Sequence, residues 1–329
     1  FMIIVTGGAG FIGSALIWQL NNLGIDNILV VDRLGTANKW QNLNKRAFRT
    51  AIHKDEFLPW LERGADGAAV EAIFHLGASS STTETDCDYL MSNNVNYSIS
   101  LWKYCTRNKI PYIYASSAAT YGDGSEGFSD EMKKVPSLRP LNPYGFSKQK
   151  FDHWVSFQTK APPFWAGLKF FNVYGPQEYH KGSQASVVPQ FVPQVLNTSA
   201  IKLFKSYRND YAHGAQQRDF VYVKDCVKIM AHLYRNAAKA KSGLYNVGSG
   251  EARSFADLAR AVFKAMDNAE PRLEFIEMPE ALRSQYQYHT QAELMRLREF
   301  AGYMEPMTKI EDGVADYVRN YLLKNDRYL

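Results

Sequence analysis

Cysteine is scarce, with three in 329 residues. Cys87, Cys105 and Cys226 are odd in number and widely spaced, and no CxxC pair occurs, so neither a disulfide framework nor a zinc site is indicated. A reducing cytoplasm is the expected setting. No stretch approaches the ~18 consecutive apolar residues that a membrane-crossing helix needs, and the first residues enter a strand-like run without a basic leader. No membrane partner is expected. Blocks of like charge are missing as well: 38 Lys+Arg against 33 Asp+Glu leave a net +5 spread along the chain. That distribution excludes a nucleic-acid footprint and suits a small anionic ligand. There is no internal repeat and no low-complexity segment. What is present, 46% hydrophobic and 14% aromatic residues, is the composition of a soluble chain with a large core.

Met2 to Thr6 is a short apolar, β-branched run ending in glycines, and apolar residues at 11, 12, 15, 16, 20 and 23 form a helical stripe after it. Gly24 is the candidate C-cap, and Asn27 to Asp32 reads as the next buried strand. Further strands are expected at 72–75, 112–115, 164–171, 220–223 and 244–248, with helices between them, at 255–266 and at 310–323. This alternation predicts a doubly wound parallel sheet, a Rossmann-like α/β core, with a smaller α/β substrate-binding lobe. The expected division is 1–171 with about 216–248 for the dinucleotide-binding domain, and 172–215 with 249–329 for the lobe. The loop 122–127, with three glycines, is expected to be a mobile cover.

Gly7, Gly8, Gly10 and Gly13 stand between the first strand and helix, where missing side chains let backbone N–H groups and the helix N-terminus approach a pyrophosphate. Asp32, about twenty residues on, is placed to take a ribose 2′-hydroxyl and select NAD. Arg33 beside it, with Lys39 and Lys54, offers a 2′-phosphate site that selects NADP. The residues alone leave both open; NADP is the expectation carried forward, with NAD the alternative. Tyr144 and Lys148 are four apart and share a helix face. An ammonium there favours the phenolate that accepts a hydroxyl proton. The pair follows the Ser116-Ser117 doublet at the carboxyl end of a strand, where open α/β sheets place ligands.

Thr6-Gly-Gly-Ala-Gly-Phe-Ile-Gly13, Ala115-Ser-Ser-Ala-Ala-Thr-Tyr-Gly122, Tyr144xxxLys148, and Arg218-Asp-Phe-Val-Tyr-Val223 with Asp225 cover about two thirds of the chain. In this order they resemble the extended short-chain dehydrogenase/reductase family. The resemblance implies a bound nicotinamide cofactor and a nucleotide-sugar substrate, with Tyr144 as acid/base, Lys148 on the ribose and Ser117, or alternatively Ser116, donating to the reacting oxygen. It further implies cofactor contacts from Phe11, Ile12, Gly77, Ala78, Ser79 and Asn93.

Within that family the chain resembles the epimerases of ADP-heptose, which supply the heptose of the lipopolysaccharide inner core. The residues carrying this are Gly77-Ala-Ser-Ser-Ser-Thr-Thr-Glu84, Phe171-Asn-Val-Tyr-Gly-Pro176, His180-Lys-Gly-Ser183 with Ala185-Ser-Val187, and Tyr286-Gln-Tyr-His-Thr-Gln291. The resemblance implies Lys181 as a second catalytic base, ADP-heptose as substrate, and a homo-oligomer. Asn172, Val173, Ser183, Gln190, Phe204, Arg218 and Tyr286 are the implied sugar-nucleotide contacts, Arg218 holding the diphosphate. The chain departs from the pattern at Leu76, where an acidic residue is expected, at Gln190, where a histidine is expected, and across 204–207, where glycines are expected. Ala118-Ala119 replaces the acidic pair a dehydratase would carry. His180 and His289 lack partners at ligand spacing, so they are expected to be hydrogen-bonded loop histidines, and no metal is assigned. His75, Met91, Tyr97, Trp102 and Tyr104 are expected to pack the core.

Overall fold

The computed structural model describes residues 1–329 apart from Ala269. Its strands are β1 (Met2–Thr6), β2 (Ile28–Asp32), β3 (Thr50–His53), β4 (Val70–His75), β5 (Tyr112–Ser117), β6 (Trp165–Phe170), β7 (Asn172–Tyr174), β8 (Ala200–Phe204), β9 (Gln217–Tyr222), β10 (Gly243–Val247), β11 (Ala252–Ser254) and β12 (Arg272–Ile276). Seven of them form one sheet in the order β10-β6-β5-β4-β1-β2-β3. Each neighbouring pair in it is parallel. Such a sheet needs cover on both faces, and β1 and β10 are buried along their whole length. Strand order reverses beside β1, where Ile4 pairs Leu29 on one side and Ile73 on the other. A crevice opens at such a reversal, beyond the carboxyl ends of the strands.

The helix Phe11–Asn22 packs Phe11, Ala15, Leu16, Ile17 and Leu20 into the core and ends before Gly24, whose φ of 78° is the left-handed conformation glycine tolerates. Truncating Leu20, which is fully buried, would cost about 2–5 kcal/mol. The edge strand β3, absent from the sequence reading, is four residues long and largely exposed, so it carries no apolar run to betray it. The tail helix is regular only over Ile310–Tyr317 and widens to a π-turn at Val318–Leu322.

A second, smaller region is built around the sheet β11-β9-β7 and the parallel pair β12-β8. The stretch 216–248 is shared between the two regions. Its β9 joins β7 and β11, whereas the helix Val223–Arg235 packs on Phe11–Asn22 and β10 closes the large sheet. A run of buried apolar residues reads identically in either place, which is why the sequence did not separate them.

Candidate active site

One cavity of about 1030 Å³ runs from the β1 turn across the ends of the strands to β9. At its floor Gly7 has a φ of 66°, and a Cβ there would lie 2.7 Å from the Gly77 nitrogen. A Cβ at Gly13 would run into the Gly7 carbonyl oxygen. These positions must therefore lack side chains. Gly10 caps the helix with no side-chain hydrogen bond and no acidic residue in the first turn, so its leading N–H groups are free for an anion. Phe11, Ile12, Gly77, Ala78, Ser79 and Asn93 all line this end. The cradle fits a dinucleotide.

Asp32 is heavily engaged by its own chain. One carboxylate oxygen accepts from the Ala9 N–H at 2.9 Å, and the other from the Arg33 N–H at 2.7 Å and the Lys39 ammonium at 2.5 Å. Arg33, Lys39 and Lys54 line the cavity around it.

Deeper in, the helix Pro143–Ser156 begins at Asn142, whose side chain accepts from the Gly145 N–H at 2.8 Å. It delivers Tyr144 and Lys148 to the cavity wall, with the ammonium 6.0 Å from the phenol ring centre. Burial pushes the Tyr144 phenol up, opposed by a hydrogen bond with Ser117, so the lowering expected from Lys148 does not emerge from the chain alone. Burial pulls Lys148 down to about 8, against the pull of the Asp152 carboxylate, and its ammonium donates to the Ala115 carbonyl at 2.8 Å. Both serines of the doublet line the cavity, and they differ in their partners. Ser116 points inward and donates to Asp152 at 2.6 Å, within a buried group where Asp152 also meets Lys169 at 3.0 Å. Ser117 faces Tyr144.

Lys181 lies in the six-residue turn Tyr179–Gln184, and its ammonium stands 5.7 Å from the Phe11 ring centre inside the same cavity. Burial lowers its pKa, and the charge of Glu178 opposes that. This is not a solvated surface lysine. At the far end Arg218, on β9, is 6% exposed and lies 4.8 Å from the Tyr286 ring centre and 5.6 Å from that of Phe255. Its guanidinium donates to the Gln217 carbonyl and, among the described residues, has no carboxylate partner. A buried guanidinium left without an anion is suited to a ligand's phosphate. Asn172, Val173 and Ser183 complete the wall.

Two expected contacts stand outside that wall. The Gln190 amide donates back to the Ala185 and Ser186 carbonyls, and Phe204 ends β8 with its carbonyl bonded to the Gly214 N–H. The loop 122–127 is also outside it: Gly122 is packed against the Arg139 carbonyl and accepts from Gln287. His75 is a core residue, stacked between Tyr97 and Tyr112 and joined to Thr6 and Ser98. His180 meets Asn42, and His289 meets Gln217. Among the described residues no cluster of metal-ligating side chains occurs, and no helix is long and apolar enough to cross a membrane. Sequence reasoning missed Glu178 and Tyr97 in the cavity wall. Glu178 sits three residues before Lys181, a spacing that could have drawn attention to it.

The model of the NAD dependent epimerase/dehydratase family matches residues 3–248. The chain is 50% identical over 335 residues to an ADP-L-glycero-D-manno-heptose-6-epimerase of Fusobacterium nucleatum, covering 100% of each. Its fold is similar to the crystal structure of the Helicobacter pylori ADP-L-glycero-D-manno-heptose-6-epimerase, with a TM-score of 0.80 and 28% identity over 97% of this chain and 95% of that one. A UDP-glucose 4-epimerase of Thermus thermophilus, solved as a complex with NAD, matches with a TM-score of 0.76 and 25% identity over 96% and 97%.

Proposed function

Because the chain belongs to the NAD dependent epimerase/dehydratase family, with full-length relatives that are ADP-heptose epimerases, we propose that it interconverts ADP-D-glycero-D-manno-heptose and ADP-L-glycero-D-manno-heptose at C6. The observation that carries this reading is that Tyr144 and Lys181, two proton-transferring side chains from different elements, line one cavity with the anion-seeking Arg218. A bound nicotinamide supplies a hydride acceptor and donor at the sugar carbon. The chain's residues then have three tasks. Arg218 and Tyr286 hold the nucleotide end. Tyr144, beside Ser117 and followed one turn later by Lys148, exchanges the proton of the C6 hydroxyl in one configuration. Lys181 exchanges it in the other, so that inversion does not require one base to serve both faces.

The cofactor reading is NADP rather than NAD. What supports it is that Lys39 already pairs with the Asp32 carboxylate and Lys54 lines the same end of the cavity, while the Arg33 side chain is exposed at the rim, so that three cations surround the 2′ position. The reading extends to a cytoplasmic homo-oligomer serving lipopolysaccharide synthesis.

Incubating the purified protein, without added cofactor, with each ADP-heptose epimer separately should bring both to one product ratio by chromatography. Denaturation should release NADP. Persistence of either epimer unchanged, in protein that carries its dinucleotide, contradicts the proposed activity.

A further inference from the structure

The turn that carries Lys181 has no buried residue of its own and one left-handed glycine, Gly182, with a φ of 55°. A segment of that kind does not hold a side chain in place through its backbone. Yet the excursion from Gly175 to Ser186 is closed by a single side chain. The Glu178 carboxylate is 1% exposed, and one of its oxygens accepts from the Ser186 N–H at 2.6 Å. The other accepts from the Ser186 hydroxyl at 2.7 Å, from the Tyr317 hydroxyl at 3.0 Å and, more distantly, from the Gly175 N–H at 3.4 Å. Among the described residues it has no ion-pair partner. Four donors from the start of the excursion, its end and the tail helix therefore converge on one buried charge. The Lys181 N–H in turn donates to the Glu178 carbonyl at 3.0 Å.

We propose that Glu178 is a positioning residue for Lys181: it closes the excursion on itself, ties it to the Ile310–Tyr317 helix, and keeps a negative charge beside the Lys181 ammonium. The inference rests on the reading of Lys181 as the second acid/base group. The groups facing Lys181 are few. Phe11 presents its ring from the glycine-turn helix, Tyr144 lines the same cavity, and His180 is its neighbour in the chain. His180 is itself surrounded by Asn42, Lys39 and Asp32 and is lowered to about 4 by burial, then by Lys39 and Lys181, so it is neutral at pH 7. Glu178 is thus the anion whose charge acts on Lys181. Burial raises the Glu178 carboxyl, and its four donors oppose that rise.

The same segment is latched to the cofactor side by two further residues. Gln177 is fully buried with a φ of 87°, and its amide donates to the Ser14 hydroxyl and the Asn42 carbonyl. Asn42 donates back to the Gln177 carbonyl and to the Ala9 carbonyl within the glycine turn. Glu178 therefore sets the shape of the excursion, and Gln177 with Asn42 sets where it is docked.

The test is Glu178→Gln in the cofactor-loaded enzyme, which keeps the side chain's size, removes its charge and leaves one acceptor oxygen for the four donors. Bound cofactor and KM should match the parent, while kcat falls by about tenfold or more. The limb of the pH–rate profile that vanishes in Lys181→Met should move to lower pH, because the ammonium loses the anion that favours it. A fall in kcat with that limb unmoved would make Glu178 merely structural, and a parental kcat would also overturn the proposal. If Glu178→Gln does not fold, Tyr317→Phe cuts the bond that ties the excursion to the tail helix and should lower kcat by less, with bound cofactor and KM at the parental level; a parental kcat overturns the proposal there too. Lys181→Met run in parallel separates the two layers: a parental rate in that variant defeats the two-base reading and this inference together. Loss of activity in it with a parental Glu178→Gln defeats this inference alone.

Discussion

Tyr144 and Lys181 reach one cavity on two different kinds of scaffold. Tyr144 stands in the first turn of a fourteen-residue helix that is capped by Asn142 and packs Phe151 and Val155 into the core. Its position follows from backbone hydrogen bonds, and its partner Lys148 follows from helical spacing. Lys181 stands in a short turn with no buried residue, fixed through its near neighbours Glu178 and Gln177 by bonds to Tyr317, Ser14 and Asn42, which come from distant parts of the chain. A regular element therefore places its functional group locally, whereas an irregular one depends on tertiary bonds. The first is robust to change outside itself; the second can be displaced by a substitution far away in sequence.

The largest expected effect belongs to the regular side. Gly13→Ala puts a methyl group into the Gly7 carbonyl, and the turn must open; bound dinucleotide should fall by about a hundredfold or more in affinity, read by absorbance of the released nucleotide. Retained full occupancy would mean that the turn yields without cost. On strand β9, Arg218→Ala should raise KM by about tenfold or more and lower kcat less, since a diphosphate contact serves ground and transition states alike. Steady-state kinetics showing an unchanged KM with a collapsed kcat would place Arg218 in the chemistry instead.

Arg33→Ala should shift the preference between NADP and NAD toward NAD by about tenfold, measured by competition for the emptied site. Equal affinities before and after the change would remove Arg33 from phosphate recognition. A smaller effect concerns acid stability. His75 is buried and neutral, and desolvation, helped by the Lys148 charge, lowers it from 6.5 to about 3. The unfolded chain takes up that proton below about pH 6.5 and the fold does not, so stability present at neutral pH is lost as pH falls from there toward 3. Denaturant midpoints at pH 7 and pH 5 should differ, and His75→Gln should reduce the difference. Equal pH dependence in parent and variant would assign the acid sensitivity to other groups.

Contiguous, periodic features were readable from residues alone. The β1-turn-helix unit, the i, i+4 pair Tyr144 and Lys148, and most strands of the large sheet emerged this way, because each is a local pattern of burial or of missing side chains. Lys181 was readable only through resemblance, since nothing in His180-Lys-Gly-Ser183 predicts burial of an ammonium against Phe11. Glu178 escaped because its four partners lie at 175, 186 and 317, and no window of sequence joins them. The placement of β9 escaped for a related reason: strand partners are chosen by tertiary packing, and its apolar run suits either sheet. Gln190 and Phe204, taken over from resemblance, are held outside the cavity wall by local bonds of this chain's own.

The two scaffolds meet most directly in a comparison of Tyr144→Phe with Lys181→Met, each loaded with cofactor and supplied with each ADP-heptose epimer. Both should lose about a hundredfold or more of the epimerisation rate while binding substrate normally, the usual scale for a positioned acid/base group. If Lys181→Met epimerises at the parental rate with unchanged substrate binding, a single base serves both configurations and the two-scaffold site is wrong.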